Sequence, residues 1–295
     1  MATSTTTVNQ GTQRTDSWQL EPLLAGLALV FFGVYALWRA FQNAPSEVPG
    51  TNYISPLYTP YLPHLFHTFG VRVPAWEQVL PGGNLGWIFS PALLILWVPI
   101  GFRATCYFYR RVYYRSFFTA PAACAVDVNP KSPLIALLGK GKKYAGETLF
   151  PMVLMNGHRY FFYLAALFIF LHTFDALFAY FMPGFGGLHI GLGSFIVTLD
   201  VLLLALYAFG CHSWRHIIGG RLDCFSSCPL GEARHHAYTR QGFLNRNHGL
   251  FGWASLAWVI VADLYITGVS RGIIPDPVFL HATWNDIFTL KGFLG

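Results

Sequence analysis

Leu188–Trp214, LHIGLGSFIVTLDVLLLALYAFGCHSW, is an apolar run interrupted by a single charge, Asp200, and closed by Arg215. A helix rising 1.5 Å per residue needs about 20 apolar residues to cross a hydrocarbon core of ~30 Å. The run is long enough, and four more lie around it. Pro22–Trp38 carries no charge and runs into Arg39; Gln78–Phe102 is charge-free after Pro81, Gly82 and Gly83. Tyr160–Met182 is broken only by Asp175, and Asn247–Ser270 only by Asp263. These lengths suit helices and exceed the short alternating strands of an outer-membrane barrel. Met182-Pro183-Gly184-Phe185-Gly186-Gly187 is a tight break that folds spans three and four into an antiparallel hairpin. The expected fold is all-α, an integral membrane bundle of five transmembrane helices.

Composition points the same way. Of 295 residues, 54% are hydrophobic and only 11% charged, where a soluble domain carries about 25% charged residues. Mean hydropathy is +0.44. Aromatics reach 17%, which suits lipid-facing walls and interfacial belts. Five cysteines are too few and scattered for a secreted disulfide framework, and the polar, Thr-rich beginning of the chain does not read as a signal peptide. No internal repeat or second soluble domain is visible. Residues 1–17 read as a cytoplasmic tail, 18–272 as the membrane domain and 273–295 as an extracytoplasmic tail.

The net charge of +6 is explained by its distribution. Arg110, Arg111, Arg115, Lys131, Lys140, Lys142 and Lys143 lie between spans two and three, against Asp127 and Glu147. Arg215, Arg221, Arg234, Arg240 and Arg246 lie between spans four and five, against Asp223 and Glu232. The other loops hold little or no basic charge. The positive-inside rule therefore puts both basic loops and the N-terminus in the cytoplasm, and no nucleic acid is needed to account for the charge. The loop Asn43–Leu80, rich in proline and aromatics, is expected to lie along the outer interface.

Ligand-type side chains gather at one depth. Cys106 lies four residues inside Arg110, His158 precedes Arg159, Cys211 and His212 precede Arg215, His216 follows it, and His248 comes two residues after Arg246. These groups share a layer of roughly 10 Å on the cytoplasmic side; His212 and His216, spaced i and i+4, face the same way. Cys124 could fold back to this layer from its loop. A single histidine at a helix end is ordinarily an interfacial side chain, and a free cysteine a small apolar one. Four helices delivering His or Cys to one level instead point to a redox cofactor. One histidine pair would suit a haem b, whereas two Cys and two His make a Rieske-type [2Fe–2S] ligand set. His172 and His189, the candidates for a second haem, are offset by ~15 Å. The favoured metal set is Cys106, His158, Cys211 and His248, with Cys124, His212 and His216 as substitutes. Trp214, Arg215, His212 and His216 lie beside it as quinone contacts. Asp175, Asp263 and Arg39 fall near the outer side, where an unpaired acid would pair with Arg39 or take up a proton.

The stretches Asn156-Gly-His158-Arg-Tyr-Phe-Phe-Tyr, Cys211-His212-Ser-Trp-Arg-His216-Ile-Ile-Gly-Gly-Arg221, Leu244-Asn-Arg-Asn-His248-Gly-Leu-Phe and Arg103-Ala-Thr-Cys106-Tyr-Phe-Tyr-Arg-Arg resemble the membrane-anchor subunit of succinate dehydrogenase. The resemblance is to the actinobacterial type with a single five-helix anchor, and covers about Trp18 to Gly272. It implies a respiratory complex II in the bacterial cytoplasmic membrane. A flavoprotein subunit oxidises succinate, an iron–sulfur subunit relays electrons, and the anchor delivers them to menaquinone or ubiquinone; the anchor itself does not oxidise succinate. It further implies a Rieske-type cluster in the membrane, with haem b as the alternative, and allows a higher oligomer of the complex. His172 and Trp214 depart from the family pattern. A rival from another class is a small transporter whose path is lined by Asp175, Asp200 and Asp263; the His/Cys layer and the lack of repeated halves disfavour it.

Overall fold

The computed structural model describes residues 20–42, 47–59, 91–109, 152–220, 222 and 224–289. The chain divides into two compact units, one of Met1–Phe31 with Arg103–Gly157 and one of Phe32–Phe102 with His158–Gly295. Helix α1 is Leu20–Gln42. Along it Leu24, Leu27, Phe31, Val34, Trp38 and Phe41 stand exposed at three- and four-residue intervals, a stripe that water would penalise and lipid accepts. Its other face buries Ala36 and Ala40, small residues that let helices approach closely.

Helix α2 is Pro91–Thr105 with Pro99 inside it; the earlier half of the expected second span lies outside the described residues. A 3₁₀ segment, Met152–Gly157, leads into α3, His158–Phe178. Gly101 of α2 packs so closely on α3 that a Cβ there would lie 2.2 Å from Phe161 Cε1. Four of the helical stretches are long and apolar enough to cross a membrane: Leu23–Gln42, Val153–Phe178, Leu192–Phe209 and His248–Ser270. The fifth apolar helix among the described residues, Ile95–Thr105, is shorter.

The structure corrects the expected fourth span at both ends. Leu188 does not begin a helix. After a 3₁₀ turn at Pro183–Phe185 with Gly184 at φ +67°, Gly187–Gly191 forms strand β1. Helix α4 starts only at Leu192 and ends at Phe209. Gly210 then breaks the run, and His212–Gly219 forms a separate short helix, α5, capped by Cys211 Sγ accepting from the Ser213 N–H. The freed carbonyls explain why the break is tolerated in an apolar setting. Gln241 Nε2 donates to the carbonyls of Gly210 and Cys211 at 3.2 and 3.3 Å, and Asn245 Nδ2 to that of Gly210 at 3.1 Å. Both amides come from α6, Gly231–Arg246, so they supply the Gly210 carbonyl and add to the Arg215 N–H that the Cys211 carbonyl already accepts at 3.3 Å.

Helix α7, His248–Ser270, follows directly. Strand β2, Val278–Thr283, pairs antiparallel with β1, and a short helix, α8, Trp284–Phe288, closes the described chain. Two core clusters hold the larger unit together. One gathers Ala36, Ala40, Leu57, Tyr58, Leu96 and Val259; the other gathers Tyr53, Ala176, Ala179, Val197, Val201 and Ile266. The described part of the loop after α1 packs into the larger unit. Tyr53, Ser55 and Tyr58 are buried, and Asn52 Nδ2 caps the end of α3 by donating to the carbonyls of Phe178 and Phe181.

Candidate functional site

His158 opens α3, Cys211 caps α5, and the structure brings them into contact, with His158 Nε2 2.9 Å from Cys211 Sγ. Cys211 is buried. The His158 ring stacks on Phe102 with centroids 4.9 Å apart and planes 9° from parallel. Phe102 meets Tyr207 edge-on at 5.5 Å, and Tyr207 stacks on His248 at 4.8 Å. A continuous chain of rings thus joins the two histidines across α3, α2, α4 and α7. His248 also abuts the α4–α5 break: a Cβ on Gly210 would lie 3.1 Å from His248 Nδ1.

Of the expected metal set, His158 and Cys211 meet directly, and His248 stands near enough to interact electrostatically with His158. Cys106 is buried and belongs to the other unit; Cys124 lies outside the described residues. Among the described residues no three His, Cys, Asp or Glu side chains stand together in position to hold a metal ion. Equal depth is thus a weaker condition than a common site: Phe102 and Tyr207 are aromatic neighbours in that layer, and their stacking fixes the imidazole planes.

The four expected quinone contacts separate. His212 and His216 face one way from α5, exposed, with their Nε2 atoms 3.0 Å apart. Partial burial, then His216 and Arg215, hold the His212 imidazole below its ordinary pKa, so it is neutral near pH 7. Arg215 turns to α6, where its Nε and Nη2 donate to Tyr238 Oη at 3.0 and 2.7 Å and its guanidinium lies 4.1 Å above the Tyr238 ring. Trp214 joins an aromatic group with Phe162 and Phe209, at 6.1 and 5.2 Å.

At the other end of the bundle the intramembrane acids find partners. Asp263 is fully buried and accepts from Arg39 Nε at 2.9 Å and Nη2 at 3.1 Å, and from the hydroxyls of Tyr35 and Ser55. Arg39 is the expected partner for Asp263. Asp175 turns instead to His172, whose Nδ1 is 3.8 Å from its carboxylate, while His172 Nε2 lies 3.1 Å from Asp200. His189 pairs with His281, and so does not share a site with His172.

Several contributors have no signal in the sequence. Gln241 and Asn245 sit in a segment read as a basic loop, and nothing in their spacing marks them as caps for a helix end about 30 residues earlier. Cys224 and Cys228 bracket a 3₁₀ turn in the same region; neither fits the depth criterion that singled out Cys106 and Cys211.

A family model described as "Actinobacterial succinate dehydrogenase subunit SdhC" matches residues 20–272. Among solved structures, a chain of the Mycobacterium smegmatis Sdh1 complex in the apo form is 37% identical, with a TM-score of 0.72, over 91% of this chain and 94% of that one. No curated protein matches.

Proposed function

We propose, from the premise that this chain belongs to the family of actinobacterial succinate dehydrogenase subunit SdhC, that it carries electrons to quinone at the end of the bundle where His158 meets Cys211. As a member of that family it is the membrane-anchor subunit of succinate dehydrogenase. It is a non-catalytic partner of the flavoprotein and iron–sulfur subunits, and a multi-pass protein of the bacterial cytoplasmic membrane. The observation that carries the electron-transfer reading is the 2.9 Å contact between a buried thiol and an imidazole.

That pair places a soft sulfur donor beside a nitrogen donor, a combination suited to iron–sulfur chemistry. A haem b would instead take two imidazoles and leave the Cys211 thiol, 2.9 Å from His158 Nε2, without a role. The reading favoured is a Rieske-type [2Fe–2S] group held by His158, His248 and Cys211, with Cys106 and Cys124 as the sequence candidates for the second thiolate. When bound there, such a group would supply one-electron storage at a potential raised by imidazole ligation.

The chain's own residues supply the rest. Gln241 and Asn245 hold the Cys211 segment in place through its neighbouring carbonyls. His212 and His216, one and five residues beyond Cys211, present an exposed imidazole pair, and a neutral His212 can donate an N–H to a quinone carbonyl oxygen. The bundle has five spans with the N-terminus and both basic loops in the cytoplasm, and a membrane domain at 18–272. The basic loops then face the iron–sulfur subunit.

The test is the double replacement of His158 and His248 by Ala in the assembled complex. Succinate oxidation by a soluble dye should persist while quinone reduction is lost, together with any EPR signal of a mixed-ligand cluster. Normal quinone reduction by the double variant would sink the assignment.

A further inference from the structure

We propose that His189 and His281 form a binding site for a divalent late transition-metal ion, Cu²⁺ in preference to Zn²⁺, at the β1–β2 end of the bundle. The two residues are register partners on the antiparallel strands. Their Nδ1 atoms face each other at 3.0 Å, with ring centroids 5.3 Å apart and planes at 85°. Two neutral imidazoles in this arrangement have one proton to share between two inward-facing nitrogens. A bound cation satisfies both lone pairs at once.

The geometry discriminates among ions. Two nitrogens 3.0 Å apart, each about 2.0–2.1 Å from one ion, subtend about 94° at it. That is close to the cis angle of a tetragonal Cu²⁺ or Ni²⁺ site, whereas tetrahedral Zn²⁺ needs the nitrogens to open to about 3.4 Å. Cu²⁺ also heads the affinity order for nitrogen donors.

The site is built rather than incidental. His189 is 4% exposed and its ring is backed by that of Tyr53 at 5.5 Å. Tyr53, fully buried, is itself fixed by Ser194 Oγ at 3.0 Å. One ligand is thus immobilised before binding, which lowers the entropy lost on coordination. His281 is exposed, so an ion reaches the pair from solvent, with water completing its coordination.

The surroundings carry negative charge. Asp276 accepts from Tyr265 Oη at 2.6 Å and from the Gly193 N–H at 3.0 Å, and its field acts on His189. It comes in over Gly191, where a Cβ would lie 2.2 Å from Asp276 Oδ2.

The experiment uses the purified succinate dehydrogenase complex, stripped of loose metal, equilibrated with Cu²⁺ and passed through a desalting column. Wild-type complex should retain one more copper per copy of this chain than His281→Ala or His281→Asn. The extra copper should show an EPR spectrum with superhyperfine splitting from two imidazole nitrogens. His281 is exposed, so both variants should keep the wild-type rates of dye and quinone reduction. Equal copper content in wild type and variants, or the same copper spectrum in all three, overturns the proposal and leaves His189 and His281 as a hydrogen-bonded pair.

Discussion

Asp263 accepts hydrogen bonds from Tyr35, Arg39 and Ser55, which come from α1 and from the loop after it. Removing one partner of a buried pair leaves the other charge without compensation, at a cost of about 3–5 kcal/mol. Asp263→Ala is therefore expected to lower the thermal midpoint of the detergent-solubilised complex sharply, or to prevent assembly. The double variant Arg39→Met/Asp263→Leu should recover most of the loss, because two apolar side chains need no solvation. A double variant no more stable than Asp263→Ala contradicts this account. The placement of quinone is tested by single residues as well. His216→Ala is expected to slow quinone reduction with dye reduction intact, and Asp175→Asn, whose carboxylate faces His172 at the opposite end, to leave both rates unchanged. The reverse pattern would move the quinone to the Asp175 end. At this scale the sequence was partly legible. His158 and Cys211 were identifiable from depth, because membrane boundaries are marked by Arg159 and Arg215. The turn of Arg215 toward Tyr238 and of Trp214 toward Phe209 was not, because depth carries no information about the direction a side chain takes around a helix.

Between α4 and α5 the chain shows what hydropathy can and cannot convey. From Leu202 to Trp214 the only helix-weakening residue in the run is Gly210, and glycine in a helix costs only about 1 kcal/mol relative to alanine. The break is decided by Gln241 and Asn245 on α6, whose amides take the freed carbonyls, and a local reading of the run does not contain them. Strand β1 was hidden for the same reason: its hydrogen-bonding partner β2 comes about 90 residues later. The spans themselves were legible because their apolar length is a local property. Gln241→Leu is expected to remove one of two donors from each of the Gly210 and Cys211 carbonyls, leaving Asn245 Nδ2 and the Arg215 N–H, at a cost of about 0.5–1.5 kcal/mol per lost bond, and to shift any EPR signal that depends on Cys211. A thermal midpoint and spectrum matching wild type would remove Gln241 from this role. Gly193→Ala tests the other end of α4, where the new methyl would lie 2.4 Å from the buried Tyr53 ring. Overpacking of this kind costs about 1–3 kcal/mol, read as a lower thermal midpoint of the complex.

For the molecule as a whole, the proposed orientation can be read from a native side chain. Cys224 is exposed, with its Sγ 2.8 Å from Ser226 Oγ. The Ser226 hydroxyl, followed by the backbone N–H of the same residue, lowers the pKa of the thiol. The thiolate is the reactive form, so alkylation of Cys224 should hold its rate to a lower pH than an ordinary cysteine of pKa about 8.5. A membrane-impermeant maleimide should label it in inside-out vesicles and not in intact cells, with Cys224→Ser as the control. Labelling of intact cells at Cys224 would invert the proposed topology.

The bond between Arg39 and Asp263 also has a history in time. The two residues are 224 positions apart, and at roughly 5–20 residues per second a ribosome takes about 10–45 s to travel that distance. Throughout that interval α1 has been made and its arginine has no Asp263 to meet. A charge at membrane depth is costly without a partner, so until the last span arrives the arginine is expected to reach toward the interface. The ion pair that locks the finished bundle therefore also makes α7 the step that completes its birth.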